Sequence, residues 1–435
     1  MSTILVVVPD YASHYFPLSA VGETLQSRGN RVVVATGPGL RSRVVADGFE
    51  HRRVGLGPGS NSGLLRTDSQ SLEEQRQMEL FFDASRQGMV PTHLHQARNR
   101  QRDLLHQPER VAQDMSRLLG DVRPDGVVVD QLAFGATAAL RGLGRRFISF
   151  HPGHPSAIST GWPYGYPPRI PKRIRVDVDD LAELKALCQQ VVNRFTSEYN
   201  DAVLALDSSA ELVPDAFAAV SPCRTVINFP TQLAGAYPLP HRVSYIGSSI
   251  RHQDLPRDLA RSHTRRPRIY ASLGSFFSGR IDILQKLVSA FRNQNVELML
   301  ASGTTPRSEL GNIPEHWTVS EYLPQPALLR TADLAITHGG NNTVTEALTA
   351  GVPLLVGPLS TDQFAAAADI ESAGLGATFD PNFDDASTIS DLAAELLSGD
   401  APVRAAELAR ELQAEPGKQI AASLVEASLG DLASV

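Results

Sequence analysis

One segment restricts the possible folds of this 435-residue chain more than any other, and it spans residues 333–376. An apolar run at 334–337 ends at His338-Gly339-Gly340, after which a helix is predicted over about Thr343–Ala350. Gly351 ends that helix, and 352–356 is predicted to be a second buried strand. The segment is therefore a βαβ unit. Its Gly-rich turn lets a ligand approach the free N–H groups of a helix N-terminus. Such a terminus favours the binding of phosphate.

A purely structural explanation of these residues stays open when the turn is considered alone. The glycines and His338 would then only shape a tight turn, and Thr343-x-x-Glu346 fits a capping box. The two explanations differ in the role of Glu346, which either caps the helix or binds a ligand.

The whole set of spaced polar residues resembles the donor-binding signature of the family-1 glycosyltransferases. These are nucleotide-sugar-dependent enzymes of GT-B fold that include plant UDP-glycosyltransferases and bacterial antibiotic glycosyltransferases. Their signature has His-x-Gly, then Asn and Ser or Thr, then Glu three residues on, and later a Pro followed by Asp-Gln. The matching residues are His338, Gly340, Asn342, Thr343, Glu346, Pro358, Asp362 and Gln363.

The resemblance implies a role for each of these side chains. His338 with the Asn342 and Thr343 donors would hold the diphosphate, Glu346 would accept from the ribose hydroxyls, and Asp362 and Gln363 would bind sugar hydroxyls. Two further motifs agree. A strand at 268–273 runs into Gly274-Ser275, whose serine contacts the diphosphate in the family, and 322–325 resembles its Trp-x-Pro-Gln. The predicted donor-binding residues are Ser275, Tyr322, Leu323, Gln325, His338, Gly340, Asn341, Asn342, Thr343, Glu346, Asp362 and Gln363.

The base of the nucleotide stays open between uracil and thymine. Tyr322 stands where the family more often has Trp, so the base would stack on a smaller ring while the Leu323 backbone pairs with its polar edge. The sugar is not determined either.

Near the N-terminus, Ile4 to Val8 is a continuous apolar run that predicts a parallel strand buried on both faces. A loop is predicted over 9–16, followed by a helix that begins near Pro17. Ser13-His14-Tyr15-Phe16-Pro17 resembles the family's Gly-His-x-x-Pro, with Ser in place of Gly. The resemblance implies that His14 is the general base, and imidazole has a pKa suited to that role. The alternative is an ordinary surface-loop histidine.

Asp130 is the predicted partner of His14. It ends the apolar run 126–129, and catalytic groups in open α/β sheets gather at the carboxyl ends of strands. A carboxylate there would fix the imidazole tautomer and stabilise the imidazolium. The catalytic pair predicted from the sequence is therefore His14 and Asp130.

The predicted acceptor site lies in the two parts of the chain where the family resemblance is weakest, 50–115 and 150–240. A helix predicted over Ser71–Gly88 has a Met/Phe stripe, which usually belongs to a core, although this region lines the acceptor cleft in the family. Aromatic residues follow at 162–166. The predicted acceptor-binding residues are Met78, Phe81, Phe82, Met89 and Trp162.

Several other patterns are interpreted without a ligand. The glycines over 55–63 fail both nucleotide-loop motifs, so they predict a flexible loop. His93-x-His95 and the histidines at 151 and 154 lack companion ligands, so no metal site is predicted. Asp177-x-Asp179 resembles the metal motif of the other major glycosyltransferase fold. It directly precedes a helical pattern, however, so N-capping explains it better.

Composition sets the broad class. The chain exceeds the length at which single cores stop growing, so two domains are predicted. A net charge of −7 does not favour nucleic acid binding. Two cysteines form no disulfide framework, and the N-terminus shows no signal peptide or membrane anchor, so a cytoplasmic protein is expected. Neither a monomer nor a homodimer is excluded.

Together these features predict an α/β protein of GT-B type with two doubly wound Rossmann-like domains facing each other across a cleft. The predicted divisions are an acceptor-binding domain at 1–247, a linker at 248–267, a donor-binding domain at 268–416 and a C-terminal helix at 417–435 that crosses back to the first domain. Short strands near 203–206, 225–228 and 243–247 should complete the first domain.

The resemblance implies inverting transfer of a sugar from a dTDP- or UDP-sugar to a hydroxyl of an apolar, polyketide- or macrolide-like acceptor, without metal or cofactor. The alternatives are a nucleotide-sugar epimerase of the same fold and a non-catalytic partner of another glycosyltransferase.

Overall fold

The structure is a computed structural model that describes residues 1–57, 72–100, 104–218, 221–235, 237–259 and 266–433. Parts of three sequence predictions lie outside these residues: positions 58–63 of the glycine-rich loop, Ser71 at the start of the predicted helix, and 260–265 of the predicted linker. The last two residues of the chain lie outside them as well.

The N-terminal half forms a seven-stranded parallel sheet with strand order β3-β2-β1-β4-β5-β6-β7. Its central strands are buried on both faces, as their continuous apolar runs predict. The strands are β1 (Thr3–Val7), β2 (Arg31–Thr36), β3 (Glu50–Arg53), β4 (Gly126–Asp130), β5 (Ile148–His151), β6 (Arg224–Ile227) and β7 (Val243–Tyr245).

The helices of this half cover both faces of the sheet. They are α1 (Ala12–Ser27), α2 (Arg41–Ala46), α3 (Leu72–Gln87), α4 (Met89–Asn99), α5 (Pro108–Val122), α6 (Phe134–Gly142) and α7 (Val178–Leu204). Two predictions are corrected. Helix α1 begins at Ala12 rather than near Pro17, and 203–204 end α7 rather than forming a strand. The N-cap prediction is confirmed, since the Asp177 carboxylate accepts from the Asp179 N–H at 2.9 Å.

The C-terminal half repeats the design with a six-stranded parallel sheet of order β10-β9-β8-β11-β12-β13. The strands are β8 (Arg268–Ser272), β9 (Glu297–Ala301), β10 (Thr318–Ser320), β11 (Leu334–Thr337), β12 (Leu354–Val356) and β13 (Gly376–Thr378). The helices are α8 (Gly274–Phe277), α9 (Ile281–Phe291), α10 (Gln325–Leu329), α11 (Asn341–Ala350), α12 (Gln363–Ser372), α13 (Ala386–Ser398) and α14 (Ala401–Ala414). Two doubly wound domains were predicted, and the sheets confirm them.

The last helix, α15 (Gly417–Ala433), returns to the N-terminal domain, as predicted. Its buried residues Ala421, Ala422 and Val425 join the core formed by β1, β2 and α1. Arg28 at the end of α1 forms an ion pair with Glu426 at 2.8 Å. In the part of the chain that the structure describes, no helix combines the length and apolarity needed to span a membrane.

Both sheets reverse their strand order beside their first strand, between β1 and β4 and between β8 and β11. In doubly wound folds, ligands bind at such switch points, outside the carboxyl ends of the strands. The loops after these four strands are therefore where the fold predicts functional side chains.

Candidate active site

A cleft of about 1030 Å³ lies between the two domains, and residues from both switch points line it. This volume is at the upper end of the range for small-molecule sites, about 300–1,000 Å³. All twelve predicted donor-binding residues and His14 are among its lining residues. The fold thus brings together residues more than 300 positions apart in the sequence.

His14 and Asp130 meet on the N-terminal side of the cleft. His14 lies in the first turn of α1, directly after β1, and Asp130 ends the neighbouring strand β4. The Nδ1 atom of His14 lies 2.9 Å from Asp130 Oδ2 and 3.1 Å from Oδ1. Asp130 is fully buried, whereas the His14 side chain is 18% exposed, so the imidazole can reach a substrate. With Nδ1 bound to the carboxylate, Nε2 is the nitrogen left for a hydroxyl.

The electrostatic surroundings of His14 favour its protonated form. Burial by itself would lower its pKa, but the charge of Asp130, the hydrogen bond to that carboxylate and the charge of Asp362 together raise the pKa above its usual value. The same carboxylate therefore stabilises the imidazolium that proton uptake would create.

Across the cleft, His338 is held in a narrow space between two glycines. A Cβ atom at Gly274, where φ is +71°, would lie 2.7 Å from His338 Cε1, and one at Gly340 would lie 2.6 Å from Nε2. Only glycine fits at both positions without moving the ring. Burial lowers the pKa of His338 to about 4. The ring is accordingly neutral at pH 7 and can donate through one nitrogen.

Helix α11 begins at the cleft without a side-chain cap, because Gly340 is its N-cap residue. Its first-turn N–H groups therefore have no acceptor within the helix and are available to an anion, as the predicted βαβ unit requires. The capping-box explanation is wrong, since Thr343 lies inside the helix. Glu346 instead accepts from Gln325 Nε2 at 2.6 Å. Burial raises the pKa of Glu346 to about 7, against the opposing effects of Gln325 and the charge of Arg251.

Two asparagines at the start of α11 connect the domains. Asn342 Nδ2 donates to the Ser13 carbonyl at 2.7 Å. That carbonyl has no partner within α1, because Pro17 lies four residues on and has no N–H. Asn341 Nδ2 donates to the carbonyls of Pro152 and Asn228 at 2.6 and 2.9 Å. Both side chains line the cleft, but their amide groups already bind the opposite domain.

Asp362 and Gln363 stand at the start of α12 and are also engaged by backbone groups. Asp362 Oδ2 accepts from the His154 N–H at 2.9 Å. Gln363 Oε1 accepts from the N–H groups of Leu359 and Ser360 at 2.9 and 3.0 Å. These bonds orient both side chains and leave the Gln363 amide nitrogen to donate to a sugar hydroxyl.

The histidines considered for a metal have protein partners instead. His93 Nδ1 lies 2.8 Å from the Met89 carbonyl, and His154 Nε2 lies 3.1 Å from Asp369 Oδ2. Among the described residues, no group of three His, Cys, Asp or Glu side chains is arranged to hold a metal ion.

The acceptor prediction needs the largest correction, because none of its five residues lines the cleft. Phe81 and Phe82 are 6% and 9% exposed and belong to a core shared with the C-terminal domain. There Phe81 contacts Phe276 with ring centroids 5.1 Å apart. Met78 packs against the same core, Met89 is buried in the N-terminal core, and Trp162 stacks on Tyr166.

Other residues form the apolar wall near His14, and sequence reasoning missed most of them. They come from separate loops and helix starts, so no local pattern could identify them. Of the aromatic group at 162–166, only Tyr164 and Tyr166 line the cleft; Tyr164 stacks on Phe217 with centroids 4.2 Å apart. The wall comprises Val54, Leu56, Leu104, Leu132, Phe134, Tyr164, Tyr166 and Phe217.

Because Phe82 belongs to a core and not to the cleft, its replacement should affect stability rather than acceptor binding. Phe82→Ala should lower stability by about 3–5 kcal/mol, the usual cost of removing a buried Phe, without changing acceptor preference. Leu56→Ala should alter the acceptor KM with little change in melting temperature, because Leu56 is partly exposed on the cleft wall. Differential scanning fluorimetry and initial rates on a panel of hydroxylated acceptors would measure both. A stable Phe82→Ala protein with altered acceptor preference would contradict the assignment.

Two doubly wound domains with facing switch points and one shared cleft define a protein of the GT-B class. Comparison with known proteins agrees. Residues 285–427 match the family described as erythromycin biosynthesis protein CIII-like, C-terminal domain. A zeaxanthin glucosyltransferase of Pseudescherichia vulneris is 28% identical over 447 residues, covering 100% of both chains. A demethyllactenocin mycarosyltransferase of Streptomyces fradiae is 32% identical over 171 residues, 39% of this chain and 37% of that protein.

Solved structures share the fold along nearly the whole chain. The glycosyltransferase of kitacinnamycin has a TM-score of 0.70 at 23% identity, covering 98% of this chain and 99% of the other. The glycosyltransferase VinC, solved in complex with dTDP, has a TM-score of 0.68 at 16% identity, covering 99% and 100%. The resemblance found in the sequence is thereby confirmed, and the chain has the GT-B fold.

Proposed function

We propose that the protein transfers a sugar from a dTDP- or UDP-sugar to a hydroxyl group of an apolar acceptor, with His14 as general base. The observation that supports this best is the His14–Asp130 pair, which shares one cleft with all the residues predicted to bind the donor. Relatives named for zeaxanthin and demethyllactenocin, and a fold relative solved with dTDP, support the acceptor and donor classes.

The donor would bind on the C-terminal side. Its diphosphate would meet the free N–H groups at the start of α11, the neutral His338 ring and Ser275. N–H donors and the helix dipole stabilise the negative charge that develops on a leaving diphosphate. In other enzymes a metal ion stabilises that charge. Glu346 would accept from ribose hydroxyls, and Asp362 with Gln363 would bind the sugar.

The reaction would be a single displacement. The acceptor oxygen forms a bond to the anomeric carbon as the bond from that carbon to the diphosphate oxygen breaks. The hydroxyl proton passes to His14 Nε2, and the Asp130 carboxylate stabilises the resulting imidazolium. Attack opposite the leaving group inverts the anomeric configuration.

The acceptor would lie against the apolar wall beside His14. That wall includes Leu56 and Leu132 together with Phe134, Tyr164 and Phe217, and the Phe217 ring contacts the rings of both Phe134 and Tyr164. Large apolar surfaces with few polar groups favour a mostly hydrocarbon molecule. Arg100, whose guanidinium lies 4.8 Å from the Tyr164 ring centroid, adds a cation to this wall.

Activity is expected with dTDP- or UDP-sugars, and EDTA should not abolish it. A first screen would follow the melting temperature with UDP, dTDP and GDP, since a ligand that binds only the native state stabilises it. Product analysis by NMR with a hydroxylated apolar acceptor would then give the anomeric configuration. Retained configuration, or loss of activity in EDTA that Mg²⁺ or Mn²⁺ restores, would contradict the mechanism. Change of the sugar without an acceptor would favour the epimerase.

A further inference from the structure

The predicted linker at 248–267 begins with residues that are buried rather than exposed. Ser248 and Ser249 are 7% and 5% exposed. The Ser249 N–H donates to Asn228 Oδ1 and its Oγ donates to the Pro17 carbonyl, both at 2.7 Å. The Gly417 N–H donates to the Ser248 carbonyl at 3.1 Å. Residues 248–249 are therefore held in place just before Arg251, which lines the cleft.

Arg251 is the residue through which this segment reaches the cleft. It is 9% exposed, and its guanidinium carbon lies 3.6 Å from the centroid of the Phe16 ring in α1. Its Nη2 donates to the Tyr322 hydroxyl at 3.3 Å, and Gln253 Nε2 donates to the same oxygen at 3.2 Å. Gln253 is itself fixed, since its carbonyl accepts from Arg330 Nη2 at 2.8 Å.

These contacts hold the Tyr322 ring at one end, since both donors bind its hydroxyl oxygen. Its residue is 52% exposed, as a stacking platform for a base must be. The hydroxyl is thus the point at which neighbouring residues fix the ring. Tryptophan, which the family more often has here, has no hydroxyl for Arg251 to bind.

The positive charge of Arg251 also acts on the Glu346 carboxyl, where it opposes the rise in pKa that burial causes. The groups around that carboxyl are Gln325 of α10, which donates to it, Tyr270 of β8, and Arg251. Tyr270 is buried and its pKa is raised, so it stays neutral. Arg251 is consequently the cation that acts on Glu346, and its Nη1 is buried without a hydrogen-bond partner.

We infer that Arg251 is a positioning residue for the nucleoside end of the donor site. It fixes the Tyr322 ring through the hydroxyl and supplies the positive charge opposite the Glu346 carboxylate. This inference rests on the proposed function, because it takes Tyr322 and Glu346 as the residues that bind the base and ribose. An ionised Glu346 accepts with both of its oxygens, whereas protonation turns one of them into a donor.

Calorimetry of UDP and dTDP binding between pH 6 and 8.5 would test the inference. Because burial raises the pKa of Glu346 to about 7, wild-type affinity should fall as pH falls through that value. Arg251→Met removes the cation, so this loss should begin at higher pH and affinity at pH 7 should drop about 10-fold. Arg251→Lys should keep the wild-type pH profile. Tyr322→Phe should weaken binding at every pH.

Arg292→Met, on an exposed residue directly after α9, is the matched control and should match wild type. Melting temperatures of all variants would identify misfolding. The inference is overturned if Arg251→Met binds both nucleotides with wild-type affinity and pH profile. It is equally overturned if Arg251→Met and Arg251→Lys weaken binding alike at every pH while Tyr322→Phe has no effect. Wild-type protein that binds neither nucleotide would instead contradict the proposed function, and the inference with it.

Discussion

Replacing His14 by alanine is expected to lower kcat by about 10²–10⁴-fold while nucleotide binding is retained, which is the usual contribution of a positioned general base. The imidazole lies on the opposite side of the cleft from the residues expected to bind the nucleotide, so the donor should not depend on it. Steady-state rates with saturating donor, together with calorimetry of the nucleotide, would measure the two effects separately. His241→Ala, on an exposed residue outside the cleft lining, is the matched control.

Asp130→Asn should cost less than His14→Ala, because the imidazole remains near the acceptor. The Asp130→Asn substitution should also change the pH dependence of kcat/KM. A base works when neutral, so kcat/KM should fall as pH falls through the pKa of His14, which the Asp130 charge raises. Removing that charge lowers the pKa, and the acid limb should move to lower pH even as the maximum rate falls. Near-normal turnover by His14→Ala, or an unmoved acid limb in Asp130→Asn, would exclude this role for the pair.

The fold was predictable because its signals are local. Apolar runs such as Ile4 to Val8 indicate strands buried on both faces, and glycines at turns mark where they end. Once parallel sheets are expected, catalytic groups are expected at the carboxyl ends of the strands. This expectation, together with the family resemblance, is why Asp130 could be paired with His14, 116 residues away. The predicted donor-binding residues could be found in the sequence because most of them lie in a single βαβ unit.

The acceptor wall was not predictable for a physical reason. Helical periodicity shows that α3 has an apolar stripe but not which surface covers it. Here Phe81 and Phe82 meet Phe276 and Phe277 from the other domain. The residues that do line the wall come one or two at a time from five separate parts of the chain, so no periodic pattern marks them.

Interdomain contacts were also invisible in the sequence. The resemblance implies that Asn342 binds the diphosphate, and Asn341 was predicted to be in the donor site. The amides of both side chains instead bind carbonyls of the other domain, those of Ser13, Pro152 and Asn228. Arg251 lies in the stretch 248–267, which the sequence predicted only to be a linker between the domains. In both cases the deciding partner lies in the other domain, and only the assembled fold supplies it.

Glu346→Ala is expected to weaken binding of the free nucleotide by about 10–100-fold at pH 8, because hydrogen bonds to a charged group contribute roughly 1.5–3 kcal/mol. Asp362→Ala and Gln363→Ala should instead weaken the nucleotide sugar more than the free nucleotide, since both side chains would contact only the sugar. Calorimetry of both ligands on each variant would distinguish the two halves of the donor site. Glu407→Ala, on an exposed turn of α14, is the matched control.

The pH dependence makes the Glu346 prediction sharper. Because burial raises the pKa of this carboxyl to about 7, the wild-type protein should lose nucleotide affinity between pH 8 and pH 6 as Glu346 takes up a proton. Glu346→Gln keeps the shape but cannot ionise, so its affinity should be weak and nearly independent of pH over that range. If Glu346→Ala bound the nucleotide as tightly as wild type, the carboxylate would serve only to hold Gln325, and the ribose would have to be bound by other residues.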